Sequence, residues 1–70
     1  MKRTPVSSSN LASVGYDEIS HTLEIGFVNG SVYQYFQVPA HVYRDLMNAA
    51  SHGSYFNEYI KDGGFRYQKI

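Results

Sequence analysis

Tyr33 and Tyr35 are the residues whose type and spacing point most directly to chemistry. On a strand, side chains two positions apart share a face, so the pair would present two rings together. Such rings can stack unpaired bases, as in readers of single-stranded RNA, at about 1–3 kcal/mol per base. The competing structural reading packs the same rings inside a small sheet, where a cross-strand pair contributes roughly 0.2–1 kcal/mol. Lys61, Arg66, Tyr67 and Lys69 form a second group, basic and aromatic, suited to contacting phosphates and stacking one base. Its plain alternative is a solvated, frayed terminus. Tyr33, Tyr35, Lys61, Arg66, Tyr67 and Lys69 are the candidate nucleic-acid-binding residues.

Other reactive residue types lack supporting partners. His21, His41 and His52 have no carboxylate or thiol at a ligand spacing, and read as ordinary surface histidines. Ser7, Ser8 and Ser9 have no local base or oxyanion hole, and with Asn10 are expected to hydrogen-bond nearby backbone. Asp17 and Glu18 are adjacent, so they do not face each other as a catalytic pair would, and read as turn residues. No catalytic set, metal site or cofactor is expected.

These groups must be held by one small domain. Seventy residues allow a single hydrophobic core. A chain of this size buries only about 60% of its unfolded surface. With no cysteine, disulfides and thiolate zinc sites are excluded, which leaves packing or association as support. Seven Tyr and four Phe supply the packing material. Six basic and six acidic side chains balance, so any nucleic-acid affinity must come from local arrangement. Lys2 and Arg3 are followed by no apolar run, so no signal peptide is expected. Nor is there a stretch of roughly 18 apolar residues to span a membrane. A cytoplasmic protein is the resulting expectation.

The pattern predicts an α+β fold, a three-stranded antiparallel meander followed by two short helices packed on one face. Residues 1–10 read as a flexible or irregular N-terminal segment, with a short strand near Val6 as an option, and 11–70 as the single domain. Ala12, Val14 and Tyr16 alternate with Ser13 and Gly15 as a first strand. Leu23, Ile25 and Phe27 share one face of a second, and Ser31 to Gln37 form the third. Gly15 and Gly26 fall inside strands, and a register that set them beside Tyr33 would make a shallow groove there. Pro39 is placed at the first helical position, ahead of Val42, Leu46 and Ala49 at helical spacing. Ser51 is a good N-cap for a second helix carrying Tyr55, Phe56, Tyr59 and Ile60, with Gly63-Gly64 ending it. Phe65 to Ile70 could return as a C-terminal edge strand.

Asn29-Gly30 between alternating runs marks a hairpin. A two-residue turn would set Phe27 opposite Val32 and leave Tyr33 and Tyr35 on the face of Glu24. A type I turn with a bulge at Gly30 would set Ile25 opposite Tyr33 and Leu23 opposite Tyr35. One residue of slip exchanges the faces of the strand. The bulged register is preferred because it places two rings beside Leu23 and Ile25.

In order along the chain, Ser8-Ser9-Asn10-Leu11, Val14-Gly15-Tyr16-Asp17, Leu23, Phe27, Asn29-Gly30, Tyr33-Gln34-Tyr35-Phe36, Val38-Pro39, Val42-Tyr43, Ser51-His52-Gly53 and Tyr55-Phe56-Asn57 resemble the KTSC domain. That family takes its name from the C-terminus of some lysyl-tRNA synthetases and also occurs as short free-standing bacterial or phage-type proteins. The resemblance covers nearly the whole chain, and the Tyr-x-Tyr at Tyr33 and Tyr35 is its best marker. It implies a domain of uncharacterised function, with RNA binding suggested by the occurrence on a synthetase. Here Glu58 and Asp62 stand among Lys61, Arg66 and Lys69, which lowers the electrostatic attraction to RNA.

The functional expectation is a small non-enzymatic binding module with RNA as its partner. The alternative is a protein-interaction or homo-oligomerisation domain, because large exposed apolar patches mark interfaces. A small-ligand sponge or inhibitor of phage or plasmid type is the third reading. No membrane partner is expected.

Overall fold

The computed structural model describes residues 1–70. Five antiparallel strands form one sheet in chain order: β1 (Thr4–Pro5), β2 (Leu11–Asp17), β3 (Thr22–Phe27), β4 (Val32–Tyr35) and β5 (Tyr67–Lys69). Between β4 and β5 lie α1 (Ala40–Asn48) and α2 (His52–Tyr55), the latter continuing into a π-helical segment, Phe56–Lys61. The expected meander is β2–β3–β4, flanked by β1 on one edge and the C-terminal strand β5 on the other. No helix is long and apolar enough to cross a membrane.

The β3–β4 turn adopts the bulged register. Leu23 pairs with Tyr35 and Ile25 with Tyr33. Gly30 has φ +92°, its N–H donates to the Phe27 carbonyl at 3.0 Å, and the Phe27 N–H donates to the Ser31 carbonyl at 2.8 Å. Asn29 Oδ1 accepts the Ser31 N–H at 2.9 Å, closing the turn from the side chain. The strand face of Leu23 and Ile25 is thereby continued by both tyrosines, with Tyr35 inside.

A second irregularity lies in β2. The β2–β3 register shifts between Leu11 and Ser13, so Leu11, opposite Phe27, turns inward while Ala12 is exposed. Simple alternation places Ala12 inside with Val14 and Tyr16. The extra residue breaks the period of two, and the larger apolar side chain takes the core position.

The helices close this face. Leu46 of α1 and Phe56 and Ile60 of the π-helical segment pack with Leu11, Val14, Leu23, Ile25, Tyr35 and Val38. Pro39 sits one position earlier than expected, as the N-cap of α1, and its carbonyl accepts the Val42 N–H at 3.0 Å. Ser51 caps α2, with Oγ accepting the Ser54 N–H at 3.2 Å. The His52 ring donates from Nδ1 to the Leu46 carbonyl at 2.8 Å, satisfying a carbonyl near the end of α1. Tyr16 stacks on Tyr43 with centroids 4.9 Å apart and donates its O–H to the Val38 carbonyl at 2.6 Å. Asp17 organises its turn by accepting from the Ile19 N–H at 3.0 Å and the Ser20 hydroxyl at 2.9 Å.

The opposite face of β3 is also covered, here by the chain's own N-terminus. A methyl group on Gly15 would meet the Lys2 carbonyl at 2.7 Å, and one on Gly26 would approach Arg3 Nε to 3.3 Å. The space beside these glycines, which only the two-residue-turn register would have made a shallow groove, is filled by residues 1–3. Arg3 donates from Nε to Ser13 Oγ at 2.9 Å and from Nη1 to Glu24 Oε2 at 2.6 Å. Gln34 Nε2 donates to the other Glu24 oxygen at 2.9 Å. Burial alone would raise the carboxyl pKa of Glu24, but the hydrogen bonds from Gln34 and Arg3 and the guanidinium charge outweigh it and hold the pKa below normal.

Candidate ligand-binding groove

Aromatic side chains from four parts of the chain meet where the helices stop covering the sheet. Tyr33 and Tyr35 come from β4, Tyr67 from β5, Phe27 from the end of β3 and Phe56 from the π-helical segment. They form the floor and one wall of an open groove of about 450 Å³. The Tyr33 and Tyr35 centroids lie 6.5 Å apart, and Tyr67 lies 6.1 Å from Tyr33 and 5.6 Å from Tyr35. Phe56 meets Tyr35 edge-on at 5.6 Å and Phe27 at 5.4 Å, the favourable T-shaped geometry for aromatic pairs.

The rim is polar. Asn10 comes from the loop before β2, Asn29 from the hairpin turn, and Asn57, Lys61 and Asp62 from the π-helical segment and its cap. Hydrogen bonding from i to i+5 widens the helical turn, which brings residues five apart, such as Phe56 and Lys61, towards one side. That places Lys61 over the groove that Phe56 helps to floor. Lys61 and Asp62 cancel in charge, so the lining is neutral overall.

The six candidate residues separate into three groups. Tyr35 is a core residue with only 6% of its surface exposed, so its ring is no free stacking platform. The bulged register turns it inward, and Tyr67 on β5 lies against it. Burial pushes its phenol pKa up to about 12, with Tyr33 and Tyr67 adding to the shift, so the hydroxyl stays neutral. Tyr33 is half-buried, and Tyr67, 62% exposed, presents the accessible ring. Together with Lys61 these three tyrosines line the groove. Arg66 and Lys69 do not line it. Arg66 precedes β5 and its carbonyl accepts the Phe36 N–H at 2.8 Å, while Lys69 pairs with Tyr33 at the far end of β5.

Sequence reasoning missed the amide rim. Asn29 reads as a turn residue, as the structure has it, whereas the Asn10 side chain, expected on nearby backbone, accepts the Ser8 hydroxyl instead. Ser8 Oγ accepts the Asn10 and Leu11 N–H groups, each at 3.3 Å. Only the tertiary fold brings these two loops to the same opening as Asn57.

The chain is similar to several known proteins. The family described as the KTSC domain matches residues 7–67. An uncharacterised protein from Stutzerimonas stutzeri is 41% identical over 70 residues, covering 100% of this chain and 99% of that protein. A lysine–tRNA ligase from Nostoc punctiforme is 44% identical over 62 residues, covering 89% of this chain but only 11% of the ligase. The crystal structure of a KTSC domain protein from Yersinia pestis superposes with a TM-score of 0.91 at 43% identity, covering 99% of this chain and 96% of that one.

Proposed function

This chain belongs to the KTSC domain family, and on the geometry of the groove we propose that it is a non-enzymatic module for single-stranded RNA, holding one unpaired base against Tyr67 and Tyr33. The observation that carries this reading is the exposed Tyr67 ring beside a neutral, aromatic-floored groove. A flat base fits such a surface through its π-face. Lys61 at the rim reaches the phosphate of the inserted nucleotide, and Arg66 and Lys69 flank it on the β5 side. The matching segment in a lysine–tRNA ligase supports an RNA partner. Bacterial relatives support a bacterial or phage origin, and a tRNA-like partner implies the cytoplasm.

With so few cations the salt dependence is shallow. Two or three phosphate contacts give a slope of about −1.4 to −2.1 in log K against log salt. Fluorescence anisotropy with labelled single-stranded RNA and a tRNA at low salt tests the reading. Binding is expected in the micromolar range, weakened roughly 5- to 100-fold by Tyr67→Ala. No binding at tens of micromolar protein sinks it.

Self-association is the competing reading, favoured by one observation: β5 is an open edge with Tyr67 and Ile70 exposed. Light scattering separates the two. A dimer that Tyr67→Ala dissolves, without RNA affinity, assigns the edge to a second copy.

A further inference from the structure

Three cations stand near the groove, and the alternation of the strand sorts them by face. β5 pairs with β4 in the register Tyr35 with Tyr67, Gln34 with Gln68 and Tyr33 with Lys69. The hydrogen bonds at the two ends of this stretch run from the Phe36 N–H to the Arg66 carbonyl at 2.8 Å and from the Ile70 N–H to the Val32 carbonyl at 2.9 Å. Arg66, Gln68 and Ile70 are therefore the hydrogen-bonded positions, and Tyr67 and Lys69 the non-hydrogen-bonded ones. At non-hydrogen-bonded positions directly opposed side chains come closest. The Tyr35 and Tyr67 rings, 5.6 Å apart, show this closeness. Lys69 is placed in the same way against Tyr33, so its side chain rises on the face that carries the groove.

Arg66 belongs to the other face. Phe65 before it packs against the core and Tyr67 after it lines the groove, so the side chain between them points away from both. Its cross-strand partner Phe36 falls on the side of Gln34, the side that Arg3 and Glu24 occupy. Lys61 meets the groove from the π-helical wall. All three cations are exposed, and the one ion pair of the fold, Arg3 with Glu24, leaves each of them without a carboxylate partner. Charge and exposure are thus alike at Arg66 and Lys69, and only the face differs.

Resting on the RNA reading above, we propose that Lys61 and Lys69 are the two phosphate-binding residues of the groove face, one from the helical wall and one from β5, and that Arg66 makes no contact with the bound strand. A ligand that uses both lysines carries at least two phosphates, so the site takes a strand of RNA rather than a free mononucleotide.

The test is anisotropy with a labelled single-stranded RNA hexamer over a series of salt concentrations. Lys61→Gln and Lys69→Gln should each weaken binding about fivefold at low salt and flatten the slope of log K against log salt by about 0.7. Arg66→Gln should change affinity by less than about twofold and leave the slope as it is. The deciding variant moves the cation instead of removing it. Lys69→Gln combined with Gln68→Lys keeps the net charge and shifts the ammonium one residue along β5, onto the other face. It should bind as weakly as Lys69→Gln alone. Recovery of the original affinity in that double variant overturns the inference, because charge near the strand would then suffice without the face. A slope that Arg66→Gln flattens as much as Lys69→Gln overturns it too. So does a silent Lys69→Gln in RNA binding that Tyr67→Ala still weakens, a result that leaves the RNA reading standing. Failure of the unaltered protein to bind the RNA overturns both.

Discussion

On one face of the β3–β4 hairpin, Leu23, Ile25 and Tyr35 pack against Phe56 and Ile60. On the other, Glu24 is just as deeply placed, 5% exposed, but is held by Arg3 and Gln34. The strands are shared and only the alternation of side chains separates the two environments. The apolar face is closed by helices except at its β4–β5 corner, where the groove remains. The polar face is closed by three residues of the N-terminus, and both oxygens of its buried carboxylate are paired within the fold. Burial by itself therefore does not mark the working surface. The open groove with its polar rim lies on the apolar side, whereas the Glu24 carboxylate is satisfied within the fold.

Truncating the shared core should have the largest effect. Tyr35→Ala removes a buried ring and is expected to cost about 3–5 kcal/mol, read by urea denaturation; a change under about 1 kcal/mol would contradict its core placement.

Alkaline pH probes the same ring without a cavity. The Tyr35 phenol has a pKa of about 12 in the fold against 10.0 ordinarily, so its contribution is intact below pH 10 and is lost as pH rises towards 12. Because the phenol borders the open groove and solvent screens part of the effect, the loss is at most about 2–3 kcal/mol. Burial also raises Tyr16 and Tyr55, so Tyr35→Phe should remove the greater part of the alkaline loss but not all of it.

The polar face gives a smaller effect with the opposite pH sign. Arg3→Ala leaves the Glu24 carboxylate short of a partner, at about 1–3 kcal/mol near neutral pH. Because the Glu24 pKa is lowered, its contribution is present above pH 4.5 and fades as pH falls through the folded-state value. The Arg3→Ala penalty should therefore shrink in acid, and a penalty that grows there would break the assignment.

Gly30→Ala tests the hinge between the faces. Its φ of +92° is strained for any L side chain although the space around it is open, so a loss of about 1–2 kcal/mol is expected. Amide exchange should rise in β4, because the bulge sets its register.

The smallest change in stability belongs to Tyr67→Ala, about 0.5–1 kcal/mol, because its ring is mostly solvated and loses only its contacts with Tyr33 and Tyr35. A large loss would make Tyr67 a core residue and remove the groove's accessible ring.

Much of the fold was legible because local rules agree with it. Asn29-Gly30 signals the hairpin, and counting alternation on both sides favours the bulge that puts Tyr33 and Tyr35 with Leu23 and Ile25. Ser51 as a cap and Gly63-Gly64 as a stop follow from backbone chemistry within a few residues. The Leu11 bulge was not legible, because the alternation of Ala12, Val14 and Tyr16 is locally sound and only pairing with β3 breaks it. Nor was the destination of Arg3. Glu24 reads as an outward strand residue until a chain segment 21 positions away covers it.

The candidate site divides along the same line. The sequence by itself determined that two tyrosines share a strand face and that a basic, aromatic tail follows the second helix. The tertiary structure alone decided that Tyr35 is core, that Tyr67 is the accessible ring, and that Arg66 and Lys69 stand outside the groove. It also decided that Asn10 and Asn29 meet Asn57 around one opening. The physical reason is range. Periodicity and turn chemistry act over a few residues, whereas the groove is assembled from residues 10 to 67, and nothing local encodes the distance between its walls.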